Sequence, residues 1–325
     1  MKLPRRKFLH LAAGIAALPA VPRSARAQAY PSRPVRIVVG YAPGGGNDII
    51  GRLIGQWLSE RLGQSFVIEN RPGAASNIAT AAVVNAPPDG YTLLLVSVSN
   101  TINATLYDKL SFNFSRDIAP VGGICRVANI MAVHSSVPAA TIPEFIVHAK
   151  ANPRTISVAT PGIGSPQHVA CELFNMMAGV SMTHVPYRGI APALTDLLGG
   201  QVPVLVGSAP GTAEYVKTGK VKALAVTSAA RWEGLPEVPA MSEFLPGFEA
   251  SSWYGVAAPR NTPADIVDRL NKEINAGLAD AKLKARIADL GGNILGGTPA
   301  DFGKLIADET EKWAKVIRGA NMKAE

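Results

Sequence analysis

The sequence has 325 residues, 47% hydrophobic and 17% charged, which fits one large or two ordinary globular domains and excludes a disordered or collagen-like chain. Its formal net charge is +8, but six of the eight excess charges are Lys and Arg residues before Gln28, with no acid among them. The near-neutral remainder lacks the basic patch that nucleic-acid binding needs, so we expect no DNA or RNA partner.

Residues 1–27 read as a cleaved signal peptide. A basic start is followed by an apolar run over residues 8–21 and by a small-residue site that ends at Ala27. The run is shorter than the about 20 residues of a membrane-spanning helix, so we predict cleavage after Ala27 and a periplasmic protein. Residues 4–9 resemble the twin-arginine export motif, and the general secretory route stays open as the alternative.

Strand-like and helix-like runs then alternate along the chain. The predicted strands cover residues 35–40, 66–69, 92–96, 120–124, 130–133, 156–159, 182–185, 202–206, 223–226 and 253–257. The predicted helices cover residues 49–61, 78–85, 143–151, 167–177, 192–198, 263–278, 281–290 and 299–318. This alternation predicts an α/β fold with largely parallel sheets, in which ligands lie beyond the carboxyl ends of the strands.

The first strand-to-helix loop is rich in glycine. Three consecutive glycines leave backbone N–H groups free to face a ligand, and the following helix start adds partial positive charge, a combination that suits an anion. We expect Gly45 to have a positive φ that a β-branched residue resists. A tight turn with Asn47 or Asp48 as helix cap is compatible with that role. The candidate ligand-binding residues are Tyr41, Gly44, Gly45, Gly46, Asn47 and Asp48.

Nucleotide motifs are missing from the sequence. A dinucleotide fingerprint needs glycine where Ile49 stands, and no phosphate-binding Gly-Lys-Ser/Thr loop occurs anywhere. We therefore predict no nucleotide cofactor.

Residues 97–101 form the second predicted loop, in which Ser97, Ser99 and Asn100 offer neutral hydrogen-bonding groups. Ordinary turn chemistry explains the same residues equally well.

Residues 160–168 form the third predicted loop and repeat the arrangement of the first. Its candidate ligand-binding residues are Thr160, Gly164, Ser165 and His168. Ser165 and His168 suggest a nucleophile and a base, but no serine has the flanking glycines of a nucleophile elbow. A helix-start His168 that donates one hydrogen bond is the preferred interpretation.

Metal and disulfide chemistry receive little support. His168 and Glu172 lie one helical turn apart, but recognisable third and fourth ligands are missing, so we predict no metal site. Two cysteines exclude a disulfide framework. Cys171 reads as a small buried apolar residue, and a bridge to Cys125 stays open.

The fourth loop, residues 184–191, contains Arg188 as its only certain charge. Its guanidinium suits bidentate pairing with a carboxylate, and a solvated surface arginine is the alternative.

Six ordered motifs carry a family resemblance. They are PGGGNDIIGR at 43–52, NRPGA at 70–74, PDGYTLL at 88–94, GIGSPQH at 162–168, VPYRG at 185–189 and GGQV at 199–202. Together they resemble the Bug family, the TctC-like periplasmic solute receptors of tripartite tricarboxylate transporters. The resemblance covers essentially the whole chain after the signal peptide.

The resemblance implies a two-lobed, type II-like periplasmic binding protein with no catalytic residues and no cofactor. Lobe 1 would comprise residues 28–128 and 251–325, and lobe 2 residues 129–250, joined by two crossing strands. A small carboxylate would be enclosed between the first and third loops, and the monomeric receptor would deliver it to membrane permease subunits. An exported α/β hydrolase and a ligand-sensing subunit of a signalling system are the alternatives.

The sequence departs from the family in ways that bear on the ligand. Asn47 stands where the family often has Thr, and Pro203 and the segment around Ser208 stand where it often has aspartates. Fewer carboxylates favour a plain carboxylate ligand over an amino acid, although Asp48 remains.

Overall fold

The computed structural model describes residues 30–324, in which eleven strands and eleven α-helices alternate. The predicted signal peptide and its cleavage after Ala27 lie outside the described residues. The strands are β1 (Val35–Val39), β2 (Phe66–Asn70), β3 (Thr92–Ser97), β4 (Ile118–Val127), β5 (Asn129–Val133), β6 (Ser157–Thr160), β7 (Thr183–Pro186), β8 (Val204–Ser208), β9 (Lys222–Val226), β10 (Ser252–Pro259) and β11 (Gly292–Gly296). The helices are α1 (Gly46–Leu62), α2 (Asn77–Val84), α3 (Val98–Leu106), α4 (Phe114–Asp117), α5 (Ile142–Ala151), α6 (Pro166–Ala178), α7 (Ile190–Leu198), α8 (Ala209–Lys217), α9 (Ala264–Ala279), α10 (Ala281–Asp289) and α11 (Pro299–Gly319).

The predicted α/β fold is confirmed, with two sheets and helices packed around each. The first sheet has the order β11-β4-β10-β3-β1-β2, and the second has the order β7-β6-β8-β5-β9. We call the parts built on them lobe 1 and lobe 2. The strands are covered by helices on both faces, which is why β1, β3 and β5 are apolar over nearly their whole length.

The prediction of largely parallel sheets is wrong, because both sheets are mixed. In lobe 1, β1 is parallel to β2 and β3, whereas β10 runs antiparallel to β3 and β4. In lobe 2, β6 is parallel to β7 and β8, whereas β5 is antiparallel to β8 and β9. The antiparallel strands include those that enter each lobe from the other, a tertiary feature that local alternation does not report.

The chain crosses between the lobes twice, and a buried asparagine joins the crossings. The first runs from β4 to Asn129 at the start of β5, and the second returns from β9 to β10. Asn129 Nδ2 donates to the Ala250 carbonyl at 2.9 Å, and the backbone N–H of Asn129 donates to Thr227 Oγ1 at 3.1 Å. Gln167 Nε2 in α6 donates to Asn129 Oδ1 at 2.8 Å. The crossing segments are thereby tied to the helix that follows the third loop.

Four elements escaped prediction, of which the shortest is the single-turn helix α4. Helix α3 occupies the predicted second loop, so the assignment of 97–101 as a loop is wrong, and α8 and β11 were not predicted at all. Ser97 and Asn100, which suggest turn chemistry, instead form the start of α3, where such residues are equally favoured. Pro210 and Gly211 weaken the helical pattern of α8, although proline is tolerated in a first turn.

Candidate ligand-binding site

The carboxyl ends of β3, β1 and β2 lie side by side, because these strands are parallel neighbours. The first loop leaves β1 at the centre of this edge. The Tyr41 hydroxyl donates to Ser99 Oγ at 2.6 Å, in the segment that follows β3. Asn70 at the end of β2 donates to the Tyr41 carbonyl at 2.9 Å. Groups at all three strand ends therefore hold the glycine loop in place.

Asp48 is the centre of a closed hydrogen-bond cage. Its Oδ2 accepts from the Gly44 N–H and from Arg52 Nε, both at 2.9 Å. Its Oδ1 accepts from Asn70 Nδ2 at 3.0 Å and lies 2.9 Å from Arg52 Nη2. Burial would raise the pKa of this carboxyl, but the hydrogen bonds from Arg52, Gly44 and Asn70 outweigh burial and hold the pKa below its usual value. Asp48 thus shapes the loop with a carboxylate that has no free position.

The start of α1 has no side-chain cap. Its N-cap is Gly45, so within residues 30–324 no N-cap side chain accepts from the first-turn N–H groups of Gly46, Asn47 and Asp48. Neither Asn47 nor Asp48 is the N-cap, which corrects that interpretation. Unclaimed N–H groups at a helix start are suited to an anion.

The structure explains two of the three glycines of this loop. The expectation of a positive φ at Gly45 is wrong, since its φ is −84°, and Gly44 has the positive φ of 87° instead. A Cβ on Gly45 would meet nothing closer than 3.9 Å, whereas one on Gly46 would lie 2.8 Å from the Tyr254 hydroxyl. Gly46 is therefore required by a close approach, and Gly44 by its backbone conformation.

The predicted residues near the start of α3 are largely occupied with each other. Ser97 N–H donates to Asn100 Oδ1 at 2.9 Å, and Asn100 Nδ2 donates to Thr80 Oγ1 at 2.8 Å. Ser99 accepts from Tyr41, which leaves its own hydroxyl proton available. Of these three predicted residues, Ser99 retains the clearest capacity to donate to a ligand.

In lobe 2, the carboxyl ends of β7, β6 and β8 lie side by side, because these strands are parallel neighbours. They bring Thr160, the fourth loop and Ser208 to one edge of the sheet. Ser208 is half-buried and is the N-cap of α8, with no hydrogen bond from its side chain as a cap. Arg188 is exposed, and within the described chain no carboxylate forms an ion pair with it.

The third loop is closed by its own side chains. Ser165 is the N-cap of α6, and its hydroxyl oxygen accepts from the His168 N–H at 3.2 Å. The Gly164 N–H donates to His168 Nδ1 at 3.2 Å. In this contact the Nδ1 of His168 is the acceptor, so the prediction that His168 donates one hydrogen bond now applies to its other ring nitrogen. The remaining ring nitrogen, Nε2, then carries the proton.

His168 stacks on His184, which sequence reasoning did not single out. The ring centroids are 3.6 Å apart with an interplanar angle of 10°. Burial lowers the pKa of His168 to about 3, with a further contribution from His184, and burial lowers the pKa of His184 to about 4. His184 Nε2 also lies 2.6 Å from Thr160 Oγ1. Both imidazoles are therefore neutral at neutral pH.

The third loop also approaches lobe 1. A Cβ on Gly164 would lie 2.6 Å from Leu106 Cδ2 at the end of α3, and the φ of Gly164 is +69°. Both the space and the backbone conformation therefore favour glycine at this position.

Three further features of residues 30–324 concern metal ligands, cysteines and helix hydropathy. No three His, Cys, Asp or Glu side chains among residues 30–324 are grouped in a way that would hold a metal ion. Cys125 and Cys171 are both buried and free, and burial raises the pKa of each thiol. Over the same residues, no helix combines the length and apolar character that crossing a bilayer requires.

Residues that organise the site were missed where their role depends on distant partners. Asn70 and Arg52 complete the Asp48 cage, Tyr254 approaches the start of α1, and His184 supports His168. Asn70 had a detectable signal, because it ends a strand and precedes the turn at residues 71–73. Arg52 ends the motif at 43–52 and His184 begins the fourth loop, but their partners are visible only in the fold, and Tyr254 lies in an ordinary strand sequence.

Comparison with known proteins gives a consistent result. The model of the tripartite tricarboxylate transporter family receptor, TctC, matches residues 50–322. A UPF0065 protein in the tcbD-tcbE intergenic region of Pseudomonas sp. strain P51 is 38% identical over 297 residues, covering 91% of this chain and 88% of the relative.

Solved structures agree with that match. An R. palustris protein with adipate is 36% identical with a TM-score of 0.82, covering 90% of this chain and 99% of its own. The periplasmic binding protein BugD is 34% identical with a TM-score of 0.79, covering 91% and 100%. MatC from Rhodopseudomonas palustris with bound malate is 31% identical with a TM-score of 0.78, covering 89% and 100%.

Proposed function

Because the chain belongs to the tripartite tricarboxylate transporter receptor (TctC, Bug) family, we propose that it binds one small organic carboxylate between its lobes and delivers it to the membrane permease of such a transporter. Members of this family are periplasmic solute receptors and not enzymes, so the hydrolase alternative falls away.

The uncapped start of α1 is the observation that carries this proposal. Three first-turn N–H groups that no N-cap side chain claims form a cluster of donors with the partial positive charge of a helix terminus. Lobe 2 adds two donors, the Ser165 hydroxyl proton and the His168 Nε2–H. The oxygen of Ser165 and the Nδ1 of His168 already accept from the loop, and Glu172 Oε1, 3.9 Å from Nε2, is beyond hydrogen-bond distance. Donors on both lobes favour a ligand rich in acceptors. Two relatives have structures with dicarboxylic acids, adipate and malate.

The proposed site comprises residues of both lobes. In lobe 1 they are Tyr41, Gly44, Gly45, Gly46, Asn47, Asp48, Ser97, Ser99 and Asn100, and in lobe 2 Thr160, Gly164, Ser165, His168, Arg188 and Ser208. Their contacts divide them into two groups. Asp48 and Asn100 organise the loops, whereas the first-turn N–H groups of α1, Ser99 and Ser165 have donors to offer a ligand.

The organisation of the protein follows from the same proposal. Lobe 1 comprises residues 28–128 and 251–325, and lobe 2 residues 129–250, a division supported by the sheet membership of the strands. Residues 1–27 are an export signal cleaved after Ala27, and the mature receptor acts as a monomer in the periplasm.

Calorimetry on mature protein, residues 28–325, tests carboxylate binding. We expect 1:1 binding of a mono- or dicarboxylate with a dissociation constant on the order of micromolar, which corresponds to about −8 kcal/mol. Binding only of uncharged sugars would contradict it. Ligand is also expected to reduce the radius of gyration in small-angle scattering, because a ligand held by both lobes favours the closed state.

Delivery to a permease needs a separate test. We expect deletion of the gene for this receptor to abolish uptake of the radiolabelled ligand found by calorimetry, and the wild-type gene to restore it. Undiminished uptake at ligand concentrations near the dissociation constant would contradict transport while leaving carboxylate binding intact.

A further inference from the structure

We propose that this site selects carboxylates without an amino group and discriminates against amino acids, because the groups that face the ligand donate hydrogen bonds and the one carboxylate of the glycine loop, Asp48, is fully occupied. This inference rests on the proposed function and narrows its ligand class.

Asp48 has no acceptor position left for an ammonium group. A carboxylate offers about four lone-pair positions, and four donors occupy them: the Gly44 N–H, Asn70 Nδ2 and two nitrogens of Arg52. The Asp48 side chain is also only 5% exposed. A ligand ammonium could reach Asp48 only by displacing Arg52 and opening the loop.

The third and fourth loops of lobe 2 provide no substitute. The neutral ring of His168 has one acceptor, Nδ1, and the Gly164 N–H already donates to it, so Nε2–H is left as a donor. Ser165 Oγ accepts from the His168 N–H, which leaves it one neutral acceptor position but no negative charge to offer an ammonium. The fourth loop contributes Arg188, a cation.

Glu172 is the acidic residue of α6 one turn beyond His168, and one of its two carboxylate oxygens has a hydrogen-bond partner. Its Oε1 lies 3.9 Å from His168 Nε2, and its Oε2 accepts from Asn175 Nδ2 at 3.4 Å. Oε2 is therefore hydrogen-bonded on its own helix, whereas Oε1 lies beyond hydrogen-bond distance of His168, so Glu172 is the acidic group of α6 that a variant must test.

An ammonium group has three donors and no acceptor, so it needs partners of the opposite kind. Hydroxyl oxygens could accept one of its protons, but N–H groups could not, and neither provides a negative charge, so enclosing the ammonium among them is costly. A carboxylate or a hydroxyl meets no such difficulty. The same pocket that holds an organic acid should therefore reject the amino acid of the same length.

Matched pairs of ligands test the inference by calorimetry at pH 7 on the mature wild-type protein. The pairs are succinate with aspartate, glutarate with glutamate, adipate with 2-aminoadipate, and butyrate with 2-aminobutyrate. We expect at least one plain acid to bind and its amino partner to bind at least tenfold more weakly. An amino acid that binds as tightly as its plain partner would overturn the inference and leave the proposed carboxylate receptor standing.

Asp48→Asn and Glu172→Gln identify which carboxylate, if either, meets an amino group. Asp48→Asn should weaken both members of a binding pair by a similar factor, because it loosens the loop, and the affinity ratio should change by less than about twofold. Glu172→Gln should leave the ratio unchanged to the same extent. A selective loss of the amino acid in either variant would overturn the inference. If none of the four acids binds, the pair is built on the acid that the carboxylate screen identifies, and a screen in which no carboxylate binds wild type makes the proposed function fail together with this inference.

Discussion

The starts of α1 and α6 look alike in sequence and differ in what they leave available. Both follow a glycine-containing loop at the carboxyl end of a strand. At α6, Ser165 caps the helix and His168 takes the Gly164 N–H, so the loop satisfies its own donors. At α1, Gly45 provides no side-chain cap. Of the backbone N–H groups of the loop, Asp48 accepts only from Gly44, which leaves the first-turn N–H groups of the helix without a side-chain acceptor. The comparison teaches that the anion-binding capacity of a glycine loop depends on which N–H groups its own side chains consume.

The largest effect on stability is expected from adding a side chain at Gly46, where the Tyr254 hydroxyl leaves no space for one. Gly46→Ala would place a Cβ 2.8 Å from the Tyr254 hydroxyl and should destabilise the protein by about 1–3 kcal/mol, with weaker ligand binding. Gly45→Ala is the matched control, since its Cβ has no neighbour within 3.9 Å and its φ is negative. Urea unfolding measures stability and calorimetry measures ligand binding, and we expect Gly45→Ala to lose much less stability than Gly46→Ala. Partial recovery in Gly46→Ala/Tyr254→Phe would identify the hydroxyl as the cause, and equal stability of the two alanine variants would contradict it.

The histidine of α6 should make stability depend on pH. The pKa of folded His168 is about 3, below the about 6.5 of an unfolded histidine. The unfolded state therefore binds more protons between these values, and the free energy of unfolding falls as pH drops through that window. We expect His168 to contribute a loss on the order of 2 kcal/mol between about pH 7 and pH 5.

His168→Asn provides the comparison for that measurement, because Asn Oδ1 can accept the Gly164 N–H without titrating. Urea unfolding at pH 7 and pH 5 should show a smaller loss in the variant than in wild type. An identical loss in both proteins would show that His168 does not cause the pH dependence.

The Ser165 cap is expected to have a smaller effect. Ser165→Ala removes the acceptor of the His168 N–H and should lower the free energy of unfolding by about 1 kcal/mol. Ligand binding should weaken by about 0.5–1.5 kcal/mol if the hydroxyl also donates to the ligand. Ser165→Thr keeps the hydroxyl and should retain most of both quantities. Wild-type binding in Ser165→Ala would show that the ligand does not use this hydroxyl.

Arg188 should give the smallest effect. Its side chain is exposed, so Arg188→Ala should change the binding free energy by no more than about half a kcal/mol. A loss of about 2–5 kcal/mol, mainly through faster release, would instead place the guanidinium on the bound ligand. Stopped-flow dissociation rates separate the two outcomes.

The sequence predicted the positions of most elements because local patterns report them directly. The apolar run of β1 and the helical spacing of α1 are visible in the chain, and the structure has both. Helix α3 was missed because Ser97, Ser99 and Asn100 suit a turn and a helix start equally well. The prediction of largely parallel sheets was wrong because the local alternation of strands and helices cannot show which strands enter from the other lobe.

The sequence by itself determined the family, the α/β fold and the loops that meet at the two sheet edges, since these depend on local residue types and their order. Only the tertiary structure decided which hydrogen-bonding groups remain available. Asp48 is adjacent to the glycines in sequence, yet its role depends on Asn70 from the neighbouring strand. His168 became an acceptor, buried against His184, only when β6, β7 and α6 came together. A residue type sets what a side chain is able to bind, and the partners brought by the fold set what it has left to offer a ligand.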